Sequence, residues 1–237
     1  MDRKHETQLL DFWRNATEYE FKYPETFDPQ WMVFESKYPF FRLSALDDQP
    51  WQEMHKEAEA LLEHFKGHRE GSYGYGWKSL TMHGLNDDTQ SLDSYGNRQE
   101  SIKHLDWTWV AEHCPVTKQF LTDVFPAEFI NRVRFMLVEP HGYILPHQDR
   151  EDSEKRLSVC NISLNNPAGC EFVFKDKGIV PFEDSGSAFL MDISNVHSVW
   201  NQSDTPRIHM IIHYELGRRI RDFFYVLRES YYTNREA

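Results

Sequence analysis

The sequence of 237 residues is poor in cysteine and contains no long apolar run. Its three cysteines, Cys114, Cys160 and Cys170, form no C-x-x-C pair, so neither a disulfide framework nor a zinc-binding pattern is indicated. We therefore expect a reducing, cytoplasmic location. No stretch approaches the roughly eighteen uninterrupted apolar residues of a membrane helix, so we expect no membrane partner.

Basic residues are also scarce relative to acidic ones. The chain has 26 lysines and arginines against 38 aspartates and glutamates, which gives a formal net charge of −12. A negatively charged chain does not attract phosphate backbones, so we expect no nucleic-acid partner. Apolar residues make up 40% of the chain and aromatic residues 15%, which is enough to build a core and excludes disorder of the whole.

The chain lacks repeats, low-complexity tracts and linkers rich in proline, glycine or serine, so we treat residues 1–237 as one domain. Residues 1–130 are predicted to be mostly helical, with one extended segment near Tyr73–Met82, and to pack on the remainder. Residues 215–237 are predicted to form a C-terminal helix. The helical prediction rests on apolar residues at helical spacing in segments 6–20, 50–66 and 107–124.

Residues 131–214 differ in pattern, because short runs of β-branched and aromatic residues alternate with turn residues. Eight strands are predicted, at Val133–Val138, Tyr143–His147, Leu157–Leu164, Glu171–Lys175, Ile179–Phe182, Ser187–Ile193, His197–Trp200 and Arg207–Tyr214. Eight short strands in one segment are typical of a double-stranded β-helix. The predicted fold class is therefore α+β with a mainly β core, a cupin-like jelly roll with flanking N- and C-terminal helices.

One group of residues in this β-rich segment has the side-chain types of a metal-binding site. His147 and Asp149 are two positions apart on a predicted strand and therefore share one face, and His197 begins a later strand. Two imidazoles and one carboxylate on one side of a metal form the facial triad of non-haem Fe(II) oxygenases. Arg207 offers the planar two-donor fork that binds the distant carboxylate of a dicarboxylic acid. Together these residues point to iron and 2-oxoglutarate.

A second H-x-D pattern, His104-Leu-Asp106, competes with the first. Asp106 precedes an apolar helical pattern that begins at Trp107, where a short acidic residue is more simply interpreted as a helix N-cap. We therefore favour His147, Asp149 and His197, which lie in strand context.

Residues 143–214 resemble the aspartyl/asparaginyl β-hydroxylase family of 2-oxoglutarate oxygenases, whose fold is a double-stranded β-helix. The resemblance rests on these motifs: Pro146-His147-x-Asp149, Arg156-Leu157, Asn166-Pro-Ala-Gly-Cys170, Gly186 with Phe189-Leu-Met-Asp192, His197-Ser-Val-Trp-Asn201 and Arg207-x-His209. It covers about the last third of the chain.

The resemblance implies roles for six residues. His147, Asp149 and His197 would bind Fe(II), Arg207 and His209 would bind 2-oxoglutarate, and Arg156 would bind the substrate. The implied activity is hydroxylation of an amino-acid-like or peptide substrate by molecular oxygen, with release of succinate and CO2.

The chain departs from the family pattern at Met136, which stands where some members have a serine that helps to hold 2-oxoglutarate. The resemblance therefore assigns no cosubstrate contact at Met136. Upstream, Trp77, Ser79 and His83 are candidate neighbours of the substrate.

Two functions from other classes stay open from the sequence. The first is a cupin-like metal protein with a non-redox activity, against which Arg207 argues. The second is a non-catalytic binding protein with a degenerate site, against which the complete His147, Asp149 and His197 set argues.

Overall fold

The computed structural model of the chain describes residues 3–19, 21–29, 38–69, 73–88, 103–149 and 159–236. These residues form eleven strands: β1 Phe40–Arg42, β2 Lys66–Gly67, β3 Gly74–Gly84, β4 Asp106–Trp107, β5 Phe129–His147, β6 Val159–Asn165, β7 Cys170–Phe174, β8 Gly178–Ile179, β9 Ala188–Met191, β10 His197–Asn201 and β11 Arg207–Glu215. The strands pair antiparallel, in the order β1-β9-β6-β11-β5-β10-β7-β8, with β3 on β5, and β2 and β4 on β3.

Helices lie at both ends of the chain and in its first half. They are α1 Arg3–Trp13, α2 Trp51–Glu59, α3 Val110–His113, α4 Pro115–Gln119 and α5 Ile220–Glu236, with 3-10 turns at Ser44–Leu46, Leu62–His64 and Gly217–Arg219 and a π-helical turn at Phe120–Val124. Helix α2 buries Trp51, Met54 and Ala58, which recur at helical spacing on one face. No helix in the described ranges is both long enough and apolar enough to span a membrane.

The sheet separates two apolar clusters, because successive side chains of a strand point to opposite faces. On β11, Ile208, Met210 and Ile212 point outwards and pack with the helices. Arg207 and His209 point the other way, into the space between the two halves of the β-helix, where the cluster formed by Trp77, Met136, Val138, Phe172, Phe174 and their neighbours lies. Every second residue of β11 at this end thus places a polar side chain inside the β-helix.

The long strand β5 differs from the sequence prediction. Pro140-His-Gly142 was expected to be a turn between two strands, but β5 runs through it from Phe129 to His147, with His141 in a left-handed conformation at φ 59°. The neighbouring strand β3 pairs with both halves of β5, at Trp77↔Val138 and Gly74↔Ile144, so the ladder holds the bent strand together.

The double-stranded β-helix predicted from the sequence is confirmed. The first 130 residues, predicted to be mostly helical, also contribute strands β1 to β4, of which β3 spans the extended segment expected near Tyr73–Met82. The strand expected at Ile179–Phe182 is shorter and lies at Gly178–Ile179. The Val180 N–H still donates to the Phe172 carbonyl at 2.9 Å, and the side chains of Val180 and Phe182 pack into the inner cluster.

Candidate active site

His147 and His197 lie opposite each other at the ends of β5 and β10. They are register partners in the antiparallel pair, and their ring centroids are 4.4 Å apart. Asp149 follows two residues after His147, and its backbone N–H donates to the Ile193 carbonyl at 3.1 Å. One ligand atom from each of His147, Asp149 and His197 lies within 4.8 Å of the others, so all three can bind one ion.

Backbone carbonyls fix the tautomer of both imidazoles. His147 Nδ1 lies 2.8 Å from the Leu145 carbonyl oxygen, and His197 Nδ1 lies 2.9 Å from the Asn195 carbonyl oxygen. Because a carbonyl oxygen can only accept, each Nδ1 carries the proton and donates it. The lone pair of each Nε2 is then available to a metal, which is the arrangement that supporting hydrogen bonds usually impose on metal-binding histidines.

The electrostatics of the three groups also suit a divalent cation. Burial lowers the pKa of His197, and His147 lowers it further, so the imidazole is neutral and able to bind metal. Partial desolvation would raise the pKa of Asp149, but His197, His147 and Arg69 outweigh it and hold the pKa below its usual range. Asp149 is therefore a carboxylate at neutral pH.

Phe172 and Phe174 form the apolar wall behind His197. The Phe172 ring is stacked on the His197 ring, with centroids 5.3 Å apart and planes 9° from parallel, and Phe174 meets it edge-on at 5.8 Å. These contacts restrict rotation of the imidazole and exclude water from one side of the site.

The donor set fits iron. Two imidazoles and one carboxylate on one side of an ion leave further coordination positions open, which is the pattern of non-haem Fe(II) oxygenases. Within the described ranges no other group of histidine, cysteine and carboxylate side chains meets the same geometry. His104 and Asp106 are thus not part of a described cluster. Asp106 is also not the N-cap that the sequence suggested: it lies in β4, its Oδ1 accepts from the Trp107 N–H at 2.7 Å, and α3 begins only at Val110.

Arg207 is a buried cation on the same inner face. Only 3% of its surface is exposed, its Nη2 donates to His209 Nδ1 at 2.7 Å, and its Nε has no hydrogen-bond partner. No carboxylate among the described residues forms an ion pair with it. Burial lowers the pKa of Arg207 to about 10, so the guanidinium keeps its charge at neutral pH. A buried charge with an unsatisfied donor fits the carboxylate of a bound cosubstrate.

His209 is hydrogen-bonded to the Arg207 guanidinium and orients it. Its Nδ1 accepts from Arg207, so Nε2 carries the proton and donates to Asn166 Oδ1 at 3.1 Å. The Asn161 side-chain amide is adjacent to the same Nδ1, and the Phe182 ring meets the imidazole edge-on at 4.5 Å. Both ring nitrogens are therefore engaged by the protein, which differs from the direct cosubstrate contact that the resemblance implies.

Comparison with known proteins agrees with this geometry. The profile of the aspartyl/asparaginyl beta-hydroxylase family matches residues 48–215. The chain belongs to this family. It is therefore a 2-oxoglutarate-dependent hydroxylase, as the sequence predicts. A search of curated protein sequences finds no match.

Solved structures show the same fold as this hydroxylase. An oxidoreductase of the 2OG-Fe(II) oxygenase family from Burkholderia pseudomallei is 13% identical, with a TM-score of 0.50 over 85% of this chain and 96% of that one. The non-heme α-ketoglutarate-dependent carbocyclase SnoK from nogalamycin biosynthesis is 12% identical, with a TM-score of 0.51 over 83% of this chain and 90% of that one.

The predicted substrate neighbours of the hydroxylase are separated by the fold. The ring of Trp77 lies 5.8 Å from the His147 ring, in the wall of the site. Ser79 lies two residues further along the same face of β3, opposite Met136, and its hydroxyl is 2.9 Å from His68 Nδ1. His83 lies at the far end of β3, packed 4.9 Å from Trp107. Arg156, the residue predicted to bind the substrate, lies outside the described residues.

Several residues around the site were not assigned from the sequence, namely Arg69, Tyr73, Asn161 and Phe172, whereas Asn166 was named only as part of a family motif. Asn161 carried a usable signal, because polar residues at 161, 163 and 165 alternate with apolar residues at 160, 162 and 164 along β6. This alternation predicts a polar inner face. The others reach the site only through the tertiary packing.

Proposed function

We propose that this hydroxylase binds Fe(II) through His147, Asp149 and His197 and holds 2-oxoglutarate through Arg207. The register pairing of His147 with His197, with both Nε2 lone pairs available and Asp149 within reach, carries the proposal. Bound together, the metal and 2-oxoglutarate supply the oxidative chemistry, in which dioxygen hydroxylates the substrate while 2-oxoglutarate yields succinate and CO2.

The protein supplies binding, orientation and exclusion of water. Arg207 is suited to hold the far carboxylate of the cosubstrate, because its charge lies in a buried, low-dielectric region where a charge-assisted hydrogen bond is strong. His209 is a positioning residue that orients the guanidinium through the 2.7 Å contact with Nη2. Phe172 and Phe174 shield the metal side from solvent, which protects the chain from misdirected oxidation.

The substrate that this site accepts is, in our proposal, amino-acid-like or a peptide. Family membership supports this class, and a cytoplasmic location stays a prediction. The proposal is tested by incubating the Fe(II)-loaded protein with 2-oxoglutarate and a panel of free amino acids and short peptides, and measuring succinate. Succinate release that depends on Fe(II), on 2-oxoglutarate and on one class of panel member supports the proposal. The absence of any 2-oxoglutarate turnover, with or without panel members, contradicts it.

A further inference from the structure

One turn of the chain supports two of the three metal ligands. Residues 192–195 form this turn between β9 and β10. The Ile193 carbonyl accepts from the Asp149 N–H at 3.1 Å, and the Asn195 carbonyl accepts from His197 Nδ1 at 2.9 Å. The positions of both ligands therefore depend on two carbonyls that are only two residues apart in the chain.

The carboxylate of Asp192 closes this turn. Its Oδ1 accepts from the Ser194 N–H at 3.1 Å and from the Ser194 hydroxyl at 2.6 Å. The Asp192 carbonyl accepts from the backbone N–H of Asn195 at 3.2 Å and from its Nδ2 at 3.0 Å. Asp192 is 2% exposed and Ser194 is fully buried, so these bonds do not compete with solvent. The carboxylate thus fixes the backbone of the turn on both sides of Ile193.

The sheet and the core set where the turn lies. The Asp192 N–H donates to the Pro39 carbonyl at 2.9 Å, directly beside the pairing of β1 with β9 at Phe40↔Met191. The buried side chain of Ile193 packs in the inner apolar cluster. With the turn anchored in this way, the Asp192 carboxylate determines the direction in which its two supporting carbonyls point.

The third ligand is supported independently of the turn. His147 Nδ1 lies 2.8 Å from the Leu145 carbonyl oxygen, and both residues belong to β5. A change in the turn should therefore reach Asp149 and His197 and leave the orientation of the His147 ring as it is. This difference between the two imidazoles distinguishes a positioning role from a general loss of packing.

We propose that Asp192 is a positioning residue of the metal site, which orients Asp149 and His197 through the carbonyls of Ile193 and Asn195. The inference rests on the proposed function and adds to it that one buried carboxylate outside the ligand set controls the geometry of two ligands.

The first test measures metal affinity by calorimetric titration with Mn(II). Asp192→Ala should weaken Mn(II) binding about tenfold or more, the range for loss of a group that supports a metal ligand. Asp192→Asn should stay within about threefold of the wild type, because the amide oxygen can still accept both bonds from Ser194. Ser194→Ala should weaken binding about fivefold, since it removes one of the two bonds.

The second test observes the two imidazoles separately, by nitrogen NMR of the Zn(II)-loaded protein labelled at histidine. In Asp192→Ala the Nδ1 proton of His197 should exchange with water at least about tenfold faster, because its carbonyl acceptor is displaced. The Nδ1 proton of His147 should exchange at the wild-type rate. A general loss of packing would accelerate both protons.

Ser203→Ala is the matched control for Ser194→Ala. Asn201 Oδ1 accepts from the Ser203 N–H at 3.1 Å and from the Ser203 hydroxyl at 2.7 Å, which is the same arrangement as at Asp192. The other bonds of the Asn201 side chain run from Nδ2 to the carbonyls of Val138, Glu139 and Thr205. Ser203→Ala should therefore keep the wild-type Mn(II) affinity.

Four results would overturn the inference. They are wild-type Mn(II) affinity in Asp192→Ala, a loss in Asp192→Asn as large as in Asp192→Ala, equal losses in Ser194→Ala and Ser203→Ala, and equal acceleration of both imidazole protons. Urea unfolding establishes that each variant folds, and Ser194→Ala carries both tests where Asp192→Ala does not. A wild type that binds no Mn(II) contradicts the proposed function instead, and this inference with it.

Discussion

His147 and His197 are direct partners across an antiparallel strand pair, although they are far apart in the sequence. The pairing brings their rings to a centroid distance of 4.4 Å, and the carbonyls of Leu145 and Asn195, each two residues before its histidine, hold the two rings in the same tautomer. The strand pairing thus sets the distance between the two imidazoles, and the two carbonyls set the ring tautomer, that a shared ion requires.

Removal of either imidazole is expected to remove the metal. His147→Ala and His197→Ala should each weaken Mn(II) binding at least about 100-fold, because loss of one of three protein ligands costs more than loss of a supporting group. His141→Ala is the control, since His141 is exposed and paired with Asp204 at 3.0 Å. Calorimetric titration with Mn(II) measures the effect. Retained affinity in His197→Ala would contradict the assigned ligand set.

Substitution of Arg207 should separate cosubstrate binding from metal binding. Arg207→Ala is expected to raise the dissociation constant for 2-oxoglutarate about 10- to 100-fold, the range for loss of a charge-assisted hydrogen bond, with Mn(II) affinity nearly intact. His209→Ala should have a smaller effect, because it acts through the contact between Nδ1 and Arg207 Nη2. Anaerobic titration of the metal-loaded variants checks this. Equal loss of metal in Arg207→Ala and in the ligand variants would indicate misfolding.

Stability is expected to fall as the pH decreases below about 6.5. Burial, with Arg134, Arg69, Arg132 and His147, lowers the pKa of His68 to about 2, against 6.5 in the unfolded chain. Between these values the unfolded chain binds a proton that the folded chain does not, so the free energy of unfolding rises with pH by up to about 1.4 kcal/mol per unit. His68→Asn should reduce this slope. Urea unfolding at pH 7, 5.5 and 4.5 measures it, and an unchanged slope would refute the assignment.

Two glycines with similar backbone angles should differ in their tolerance of a Cβ. Gly186 has φ 91°, and an added Cβ would lie 2.3 Å from Trp51 Cδ1, whereas Gly169 has φ 87° and nothing closer than 3.9 Å. Gly169→Ala should cost about 1 kcal/mol of conformational strain. Gly186→Ala should cost about 3 kcal/mol, because overpacking against Trp51 adds to the strain. Urea unfolding compares them, and equal costs would show that Trp51 moves aside freely.

Most strands of residues 131–214 and the triad could be predicted from the sequence, because local patterns and a family motif mark them, whereas β1, β2 and β4 could not. Period-two alternation marks β6 and β11, and the H-x-D spacing of His147 and Asp149 indicates two ligands of the site, although β5 ends at His147 and Asp149 lies just beyond it rather than on the same strand. His197 was placed with them by strand context and by the family motif. These predictions did not require knowledge of which distant segments of the chain lie close together in the fold.

The environment of the triad could not be predicted, because it is created by segments that meet only in the fold. Arg69 and Tyr73 lie just before β3 and belong to no motif. The pairing of β3 with β5 nevertheless brings Tyr73 beside His147 and Arg69 beside Asp149. The continuity of β5 could not be predicted either, because Pro140-His-Gly142 has the composition of a turn. Its bend lets one strand pair with β11 at Val138↔Arg207 and with β10 at His147↔His197.

One ion, held by His147, Asp149 and His197 with 2-oxoglutarate beside it, is the feature on which the proposed chemistry depends. Anaerobic titration of the protein with Fe(II) and 2-oxoglutarate tests it most directly, through the visible charge-transfer absorption of the metal–cosubstrate chelate. This absorption should saturate at one Fe(II) per chain in the wild type and be absent in His197→Ala. No absorption in the wild type, or full absorption in His197→Ala, would contradict it.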